Sequence, residues 1–241
     1  MNTESVSEKL LDKVRELCRE FSLGTDINNE SVLQKIISSD EPLIVDVGGY
    51  NGSSVRKYTE LFPKSIIYSL EPFPRSYSQL CKLESNRVKT FNLGLSSHKG
   101  KETFYVNKLD GTNSLLSFSK DVKDTWGGLE GLITEAKIEC KFVTLDEFIS
   151  THEIKHVDLL KLDVQGAEFK VLEGSKKVLS EKRICAIQME LILADTYIGQ
   201  QSMRYYFDLF KRFGYQPYTM TDFATTKKEL LQCDIFFVSG K

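Results

Sequence analysis

Two short segments constrain this chain more than anything else in it. Leu43-Ile44-Val45-Asp46-Val47-Gly48-Gly49-Tyr50-Asn51-Gly52 reads as an apolar strand, a glycine-bearing turn and a helix start. Ile66-Ile67-Tyr68-Ser69-Leu70-Glu71-Pro72 reads as a second apolar strand ending in an acid. Turn positions without side chains let backbone amides approach a ligand, and an acid after the second strand can take both hydroxyls of a ribose. Together they describe a nucleoside-binding crevice at the carboxyl edge of a parallel sheet.

The spacing bears on which nucleoside. A dinucleotide fingerprint needs Gly-x-Gly-x-x-Gly, with amides aimed at a pyrophosphate. From Gly48 the chain runs Gly-Gly-Tyr-Asn-Gly, so the tight Gly-x-Gly is missing and Tyr50 would crowd a pyrophosphate. What remains, Asp46-x-Gly48-x-x-x-Gly52, resembles the first motif of class I S-adenosylmethionine-dependent methyltransferases. That resemblance implies Asp46 near the cofactor's aminoacyl end, Gly48 and Gly49 as close backbone, and Glu71 on the ribose. Gly48→Val is accordingly expected to lose cofactor binding with only a modest change in the melting temperature of the cofactor-free protein. The competing reading is a strand-turn-helix whose glycines serve packing alone.

At 241 residues the chain has room for one α/β domain with a full core and not for two comfortable ones. A formal charge of -2 gives no global electrostatic reason to bind nucleic acid. The five cysteines, Cys18, Cys81, Cys140, Cys185 and Cys233, form no Cys-x-x-Cys pair, so neither a zinc site nor a disulfide framework is signalled. Cys140, Cys185 and Cys233 fall in strand-like stretches, where a buried thiol is expected. No signal-type apolar core stands at the N-terminus and no apolar run reaches membrane-spanning length, so the expected compartment is cytoplasmic.

Residues 5–21 carry apolar positions at helical spacing, and 31–39 reads as a short helix before Pro42; together, 1–40 forms an N-terminal helical extension. From residue 41 strand and helix alternate, which predicts a largely parallel sheet with helices on both faces. The expected strands are 43–47, 66–70, 88–93, 138–143, 157–162 and 184–190, with an antiparallel edge pair at 215–220 and 232–238. A helix is expected over 167–180. Residues 107–137, with the only tryptophan, break the alternation and read as a lid-like insertion.

The second informative segment is Val157-Asp158-Leu159-Leu160-Lys161-Leu162-Asp163-Val164-Gln165-Gly166-Ala167-Glu168. Strand alternation sets Lys161 and Asp163 on one face, and Glu168 falls in the first turn of the next helix. The carboxyl ends of such a sheet face the ligand crevice, so Asp163 and Glu168 are expected to line the same cleft as Asp46 and Glu71. The alternative makes Glu168 a helix-dipole partner and Lys161–Asp163 a structural ion pair.

With these motifs in place, the chain resembles the FkbM-type methyltransferases over residues 43–220. The resemblance rests on 46–52, Glu71-Pro72-Phe73-Pro74, Thr112-Asn113-Ser114-Leu115, Val143-Thr144-Leu145-Asp146-Glu147-Phe148, 160–168 and Val171-Leu172-Glu173-Gly174. The first motif commonly reads Asp-Val-Gly-Ala-Asn-x-Gly, so Gly49 and Tyr50 stand in place of Ala and Asn. The resemblance implies a Rossmann-like class I methyltransferase fold and S-adenosyl-L-methionine held by Asp46, Gly48, Gly49, Tyr50, Gly52, Glu71, Pro72 and Phe73. It implies methyl transfer to a hydroxyl of a sugar, polyketide or other small metabolite. The partner is then a small-molecule or glycan acceptor, with no nucleic acid and no membrane span, and a homo-oligomer is left open.

An alcohol acceptor needs a proton acceptor. The candidates are Asp163 first, then Lys161 if burial depresses its pKa, Glu168, and Glu190 at the end of a strand. His98, His152 and His156 fall away from the expected crevice and read as surface histidines. Asp163, Glu168 and Glu190 could form an oxygen-rich metal site, but no close ligand motif appears and no metal is expected. Two other classes compete: a nicotinamide-dependent oxidoreductase, disfavoured by the missing Gly-x-Gly, and a non-catalytic methyltransferase-like interaction module.

Overall fold

A computed structural model describes residues 28–226 and 230–240. The amphipathic stretch 5–21 lies outside the described residues. The apolar runs β1 (Leu43–Val47), β2 (Ile66–Leu70) and β3 (Val88–Phe91) pair in parallel, as do β7 (Val157–Leu162) and β8 (Ile184–Ile192). β10 (Leu230–Ser239) enters antiparallel between β8 and β9 (Tyr215–Thr225), giving the order β3-β2-β1-β7-β8-β10-β9. The expected Rossmann-like sheet, mostly parallel with an antiparallel end, is the observed one.

Helices cover both faces because the central strands bury both sets of alternating side chains. On one face Ile44, Ile67, Leu159 and Phe236 pack against α1 (Asn29–Ile36), α2 (Ser53–Leu61) and α3 (Pro74–Leu80). On the other, Val45, Leu160, Leu162 and Ile187 pack against α5 (Leu145–Thr151), α6 (Glu168–Glu173), α7 (Lys176–Ser180) and α8 (Met203–Arg212). Asn28 caps α1, its side chain accepting from Ser31 N at 2.9 Å. Val32 and Leu33 of α1 are wholly buried in the core, so a boundary at residue 40 does not separate two packing units.

The single helix expected over 167–180 is two. Gly174 lies so close to the backbone of Ser96 that a Cβ there would overlap the Ser96 carbonyl oxygen, and the chain breaks between α6 and α7 to make that approach. The expected insertion 107–137 is narrower than read: Asn107 ends β5 (Gly100–Asn107) and 134–137 belong to β6 (Thr134–Val143), which leaves 108–133 as the tip of their hairpin. With β4 (Gly94–Leu95) these form a small second sheet, and the tip carries the one-turn α4 (Val122–Thr125). Among the described residues no helix is long and apolar enough to cross a membrane.

Candidate active site

Register places one polar rung across the central sheet: Ser69 of β2, Asp46 of β1, Lys161 of β7 and Gln188 of β8 lie side by side. Asp46 is wholly buried, accepts from Ser69 Oγ at 2.6 Å and lies 3.2 Å from Lys161 Nζ. Lys161 Nζ also donates to the Gly48 carbonyl at 3.2 Å and lies 3.3 Å from Asp163 Oδ2. Burial acts to lower the lysine's pKa, but the Asp46 and Asp163 carboxylates more than offset it and hold Lys161 well above its ordinary value. The expectation of a depressed, basic Lys161 is corrected: this ammonium stays charged.

At the carboxyl ends of β1, β2 and β7 opens a cleft of about 760 Å³ that includes open solvent. Gly48, Tyr50, Glu71, Pro72, Lys161 and Asp163 line its polar side, and Leu95, Phe104, Leu115 and Phe142 its apolar wall. Sites for small molecules and cofactors are mostly apolar with a few placed polar groups, and the lining of this cleft has that character.

Glu71 fixes the turn after β1 to the end of β2. Its two carboxylate oxygens accept from Tyr50 N and Phe73 N, each at 2.8 Å. Tyr50, at φ 47, holds its amide toward that carboxylate. Burial pushes the Glu71 carboxyl up to about 7, with the two amides working against the rise. A carboxylate has about four lone-pair directions, so two remain for a ligand in the cleft.

Asp163 presents a side chain 35% exposed, with Lys161 on Oδ2 and Gln165 Nε2 donating to Oδ1 at 2.9 Å. The other acids expected at the cleft do not line it. Glu168 turns its Oε1 back onto Val164 N at 3.0 Å and Gly166 N at 3.3 Å, and burial raises it to about 7. It clasps its own turn, close to the alternative read from the sequence. Glu190 accepts from Gln165 Nε2 and from Gln232 Nε2, and burial with the nearby Asp163 and Glu168 charges raises its pKa well above the ordinary value.

Asp46 stands behind the cleft wall and reaches it through Lys161. Gly49 and Gly52 serve packing: a Cβ on Gly49 would overlap Ser69 Oγ, and one on Gly52 would overlap Leu83. Phe73 is buried against Phe104, at 6.5 Å between ring centroids, and offers its amide rather than its ring to the site. His98 and His156 are exposed as expected, whereas His152 packs among Tyr68, Phe91 and Phe148.

Four residues without an assigned role in the sequence are brought to the site by the structure. Gln165, at φ 57, donates to Asp163 and Glu190 and accepts from Tyr197 Oη at 3.1 Å. Tyr197 Oη also lies 2.9 Å from the Thr112 carbonyl, and Ser114 Oγ donates to the Gln165 carbonyl at 2.7 Å. Asn113 lines the cleft; its Oδ1 accepts from Asn107 N at 2.6 Å, while its buried Nδ2 has no hydrogen-bond partner. The Thr112-Asn113-Ser114-Leu115 motif was the available signal.

The model of the methyltransferase FkbM domain matches residues 46–217 of this chain. The chain belongs to the FkbM methyltransferase family. It is similar to the 2-O-methyltransferase NoeI of Sinorhizobium fredii (strain NBRC 101917 / NGR234), at 26% identity over 86% of this chain and 89% of that protein. It is also similar to Methyltransferase 1 of Beauveria bassiana (strain ARSEF 2860), at 29% identity over 56% of this chain and 59% of that protein. Among solved structures, the METTL16 MTase domain superposes with a TM-score of 0.49 at 11% identity, over 100% of this chain and 82% of that one.

This FkbM-family chain is an S-adenosylmethionine-dependent methyltransferase. Membership favours neither the nicotinamide oxidoreductase nor the non-catalytic module. The cleft fits the cofactor on its own chemistry: a buried carboxylate with unused lone pairs after β2, and apolar side chains in the same lining.

Proposed function

We propose that the enzyme methylates a hydroxyl oxygen of a sugar or another small metabolite, with Asp163 orienting that hydroxyl and taking its proton. The observation that carries this reading is the singular position of Asp163. Of the candidate carboxylates, it alone both lines the cleft beside Lys161 and keeps a partly exposed side chain there. The similarity to NoeI, a 2-O-methyltransferase, supports oxygen as the methylated atom.

When bound, S-adenosyl-L-methionine supplies a methyl group on a sulfonium. Glu71 would hold the ribose hydroxyls, and the Gly48–Tyr50 turn and Pro72 would form the adjacent wall. Lys161 keeps Asp163 in place as a charged partner, and Gln165 fixes its second oxygen, so the carboxylate meets the acceptor pre-oriented. Asn113 Nδ2 offers a donor to a bound oxygen. Asp110, Gly111, Asn113 and Leu115 bring the 107–137 insertion onto the cleft, which supports its reading as a lid of the methyltransferase domain.

Asp163→Asn tests the assignment. It keeps size and an acceptor oxygen while removing charge and basicity. With a sugar panel as acceptors and released S-adenosylhomocysteine as readout, turnover should fall by about 10²–10⁴, the range for a general base. Calorimetric S-adenosylhomocysteine affinity should move far less. Lost affinity with near wild-type turnover at saturating cofactor would assign Asp163 to cofactor binding instead.

A further inference from the structure

Three ligand-type side chains converge at the edge of the sheet opposite the cleft. Asp158 and Cys185 lie side by side at the starts of β7 and β8, one residue beyond the paired Val157 and Ile184, and His156 directly precedes β7. His156 Nε2 is 3.4 Å from Cys185 Sγ and 3.5 Å from Asp158 Oδ1. All three ligand atoms lie within 4.8 Å of one another. Cys185 was expected to be a buried strand thiol; it is exposed, at the second residue of β8.

The geometry excludes a nucleophilic relay. In a thiol–imidazole–carboxylate relay the acid holds one ring nitrogen and the nucleophile the other. Here thiol and carboxylate approach the same nitrogen, which has one proton or one lone pair and cannot satisfy both. A single cation between them can. Metal–ligand bonds of about 2.3 Å to sulfur and about 2.0 Å to nitrogen or oxygen give tetrahedral edges of roughly 3.3–3.5 Å, close to both observed separations.

We propose that His156, Asp158 and Cys185 bind a divalent transition metal of borderline softness, zinc by preference, with the fourth position left to water. Mixed nitrogen, sulfur and oxygen donors select such an ion over magnesium or calcium. Asp158 is already oriented: its Oδ2 accepts from Leu43 N at 2.8 Å, leaving Oδ1 for the metal. The ion has open access, since the His156 side chain is 52% exposed. As the Sγ–metal bond forms, the thiol proton passes to solvent and His156 binds as neutral imidazole.

The site is separate from methyl transfer. Asp158, near the start of β7, and Asp163, just past its end, are five residues apart, a rise of ~16 Å in extended chain. An ion here would pin the starts of β7 and β8 together. The three ligands are spread over 156–185 without a close cysteine pair, so no spacing rule exposes them.

Cobalt titration of the full-length protein, stripped with chelator and then freed of it, tests the proposal. One equivalent of Co²⁺ should produce tetrahedral d–d bands and a thiolate-to-cobalt charge-transfer band, both abolished by equimolar Zn²⁺. Cys185→Ser should remove the charge-transfer band, and His156→Ala should weaken binding by at least about tenfold. Unchanged S-adenosylhomocysteine affinity in both variants would verify that they are folded. Absence of saturable binding, or a wild-type charge-transfer band in Cys185→Ser, overturns the site.

Discussion

Glu71 holds its carboxylate in a place where charge is costly. Burial raises it to about 7, while the amides of Tyr50 and Phe73 favour the ionised form. Ribose hydroxyls donate to a carboxylate more strongly than to a carboxylic acid, so a bound cofactor would pull the pKa down and release a proton. S-adenosylhomocysteine affinity should therefore rise from pH 6 to pH 8 and level off above. Calorimetry in buffers of different ionisation enthalpy would report the released proton near pH 7. Glu71→Ala should weaken binding by roughly ten- to a hundredfold, the equivalent of a charge-assisted hydrogen bond of about 1.5–3 kcal/mol. A flat pH profile together with unchanged affinity in the variant would remove Glu71 from the site. This acid was legible in the sequence because its position depends on one strand end. The partners of Asp46 and Lys161 were not, since they arise from the register of neighbouring strands.

At the scale of elements, the turn after β1 and the turn after β7 lock together. Gly48 sits at φ 84, and a Cβ there would overlap the carbonyl oxygen of Asp163. The loss of stability in Gly48→Val is therefore expected to be larger than modest. A left-handed conformation costs a branched residue about 1–2 kcal/mol, and overpacking against backbone about 1–3 kcal/mol more. The variant should lose about 2–5 kcal/mol in urea unfolding without cofactor, as well as its cofactor affinity. A wild-type unfolding midpoint would show that the two turns part without cost. β1, β2 and β7 match their sequence-read bounds because strands buried on both faces write a continuous apolar signal. The break at Gly174 was hidden because its cause, the Ser96 carbonyl, is remote in sequence. The insertion's anchoring was hidden likewise: Ser114 reaches Gln165, and Trp126 Nε1 donates to Thr196 Oγ1 at 2.9 Å.

Across the whole molecule, the carboxyl edge of the sheet gathers acids that the fold prefers protonated. Burial raises Glu71 and Glu168 to about 7, Asp234 to about 6, and Glu190 well above its ordinary value. A carboxyl whose folded pKa exceeds its unfolded one favours folding below the unfolded value, and that stability is lost as pH rises through the folded value. For Glu168 the window runs from 4.5 to about 7. Lys161, raised above an already high ordinary value, stays charged throughout this window and adds no slope. Glu168 isolates the effect, because one oxygen, Oε1, takes both turn amides and leaves Oε2 as the place for a proton. Glu168→Gln keeps that acceptor and replaces the titrating oxygen by an amide. Between pH 4.5 and pH 8 the wild type should lose about 3 kcal/mol relative to the variant, from 1.36 kcal/mol per pKa unit. Urea unfolding of both proteins across that range measures the difference directly. Parallel curves would mean that Glu168 titrates in the fold as it does in the unfolded chain, with no rise in its pKa.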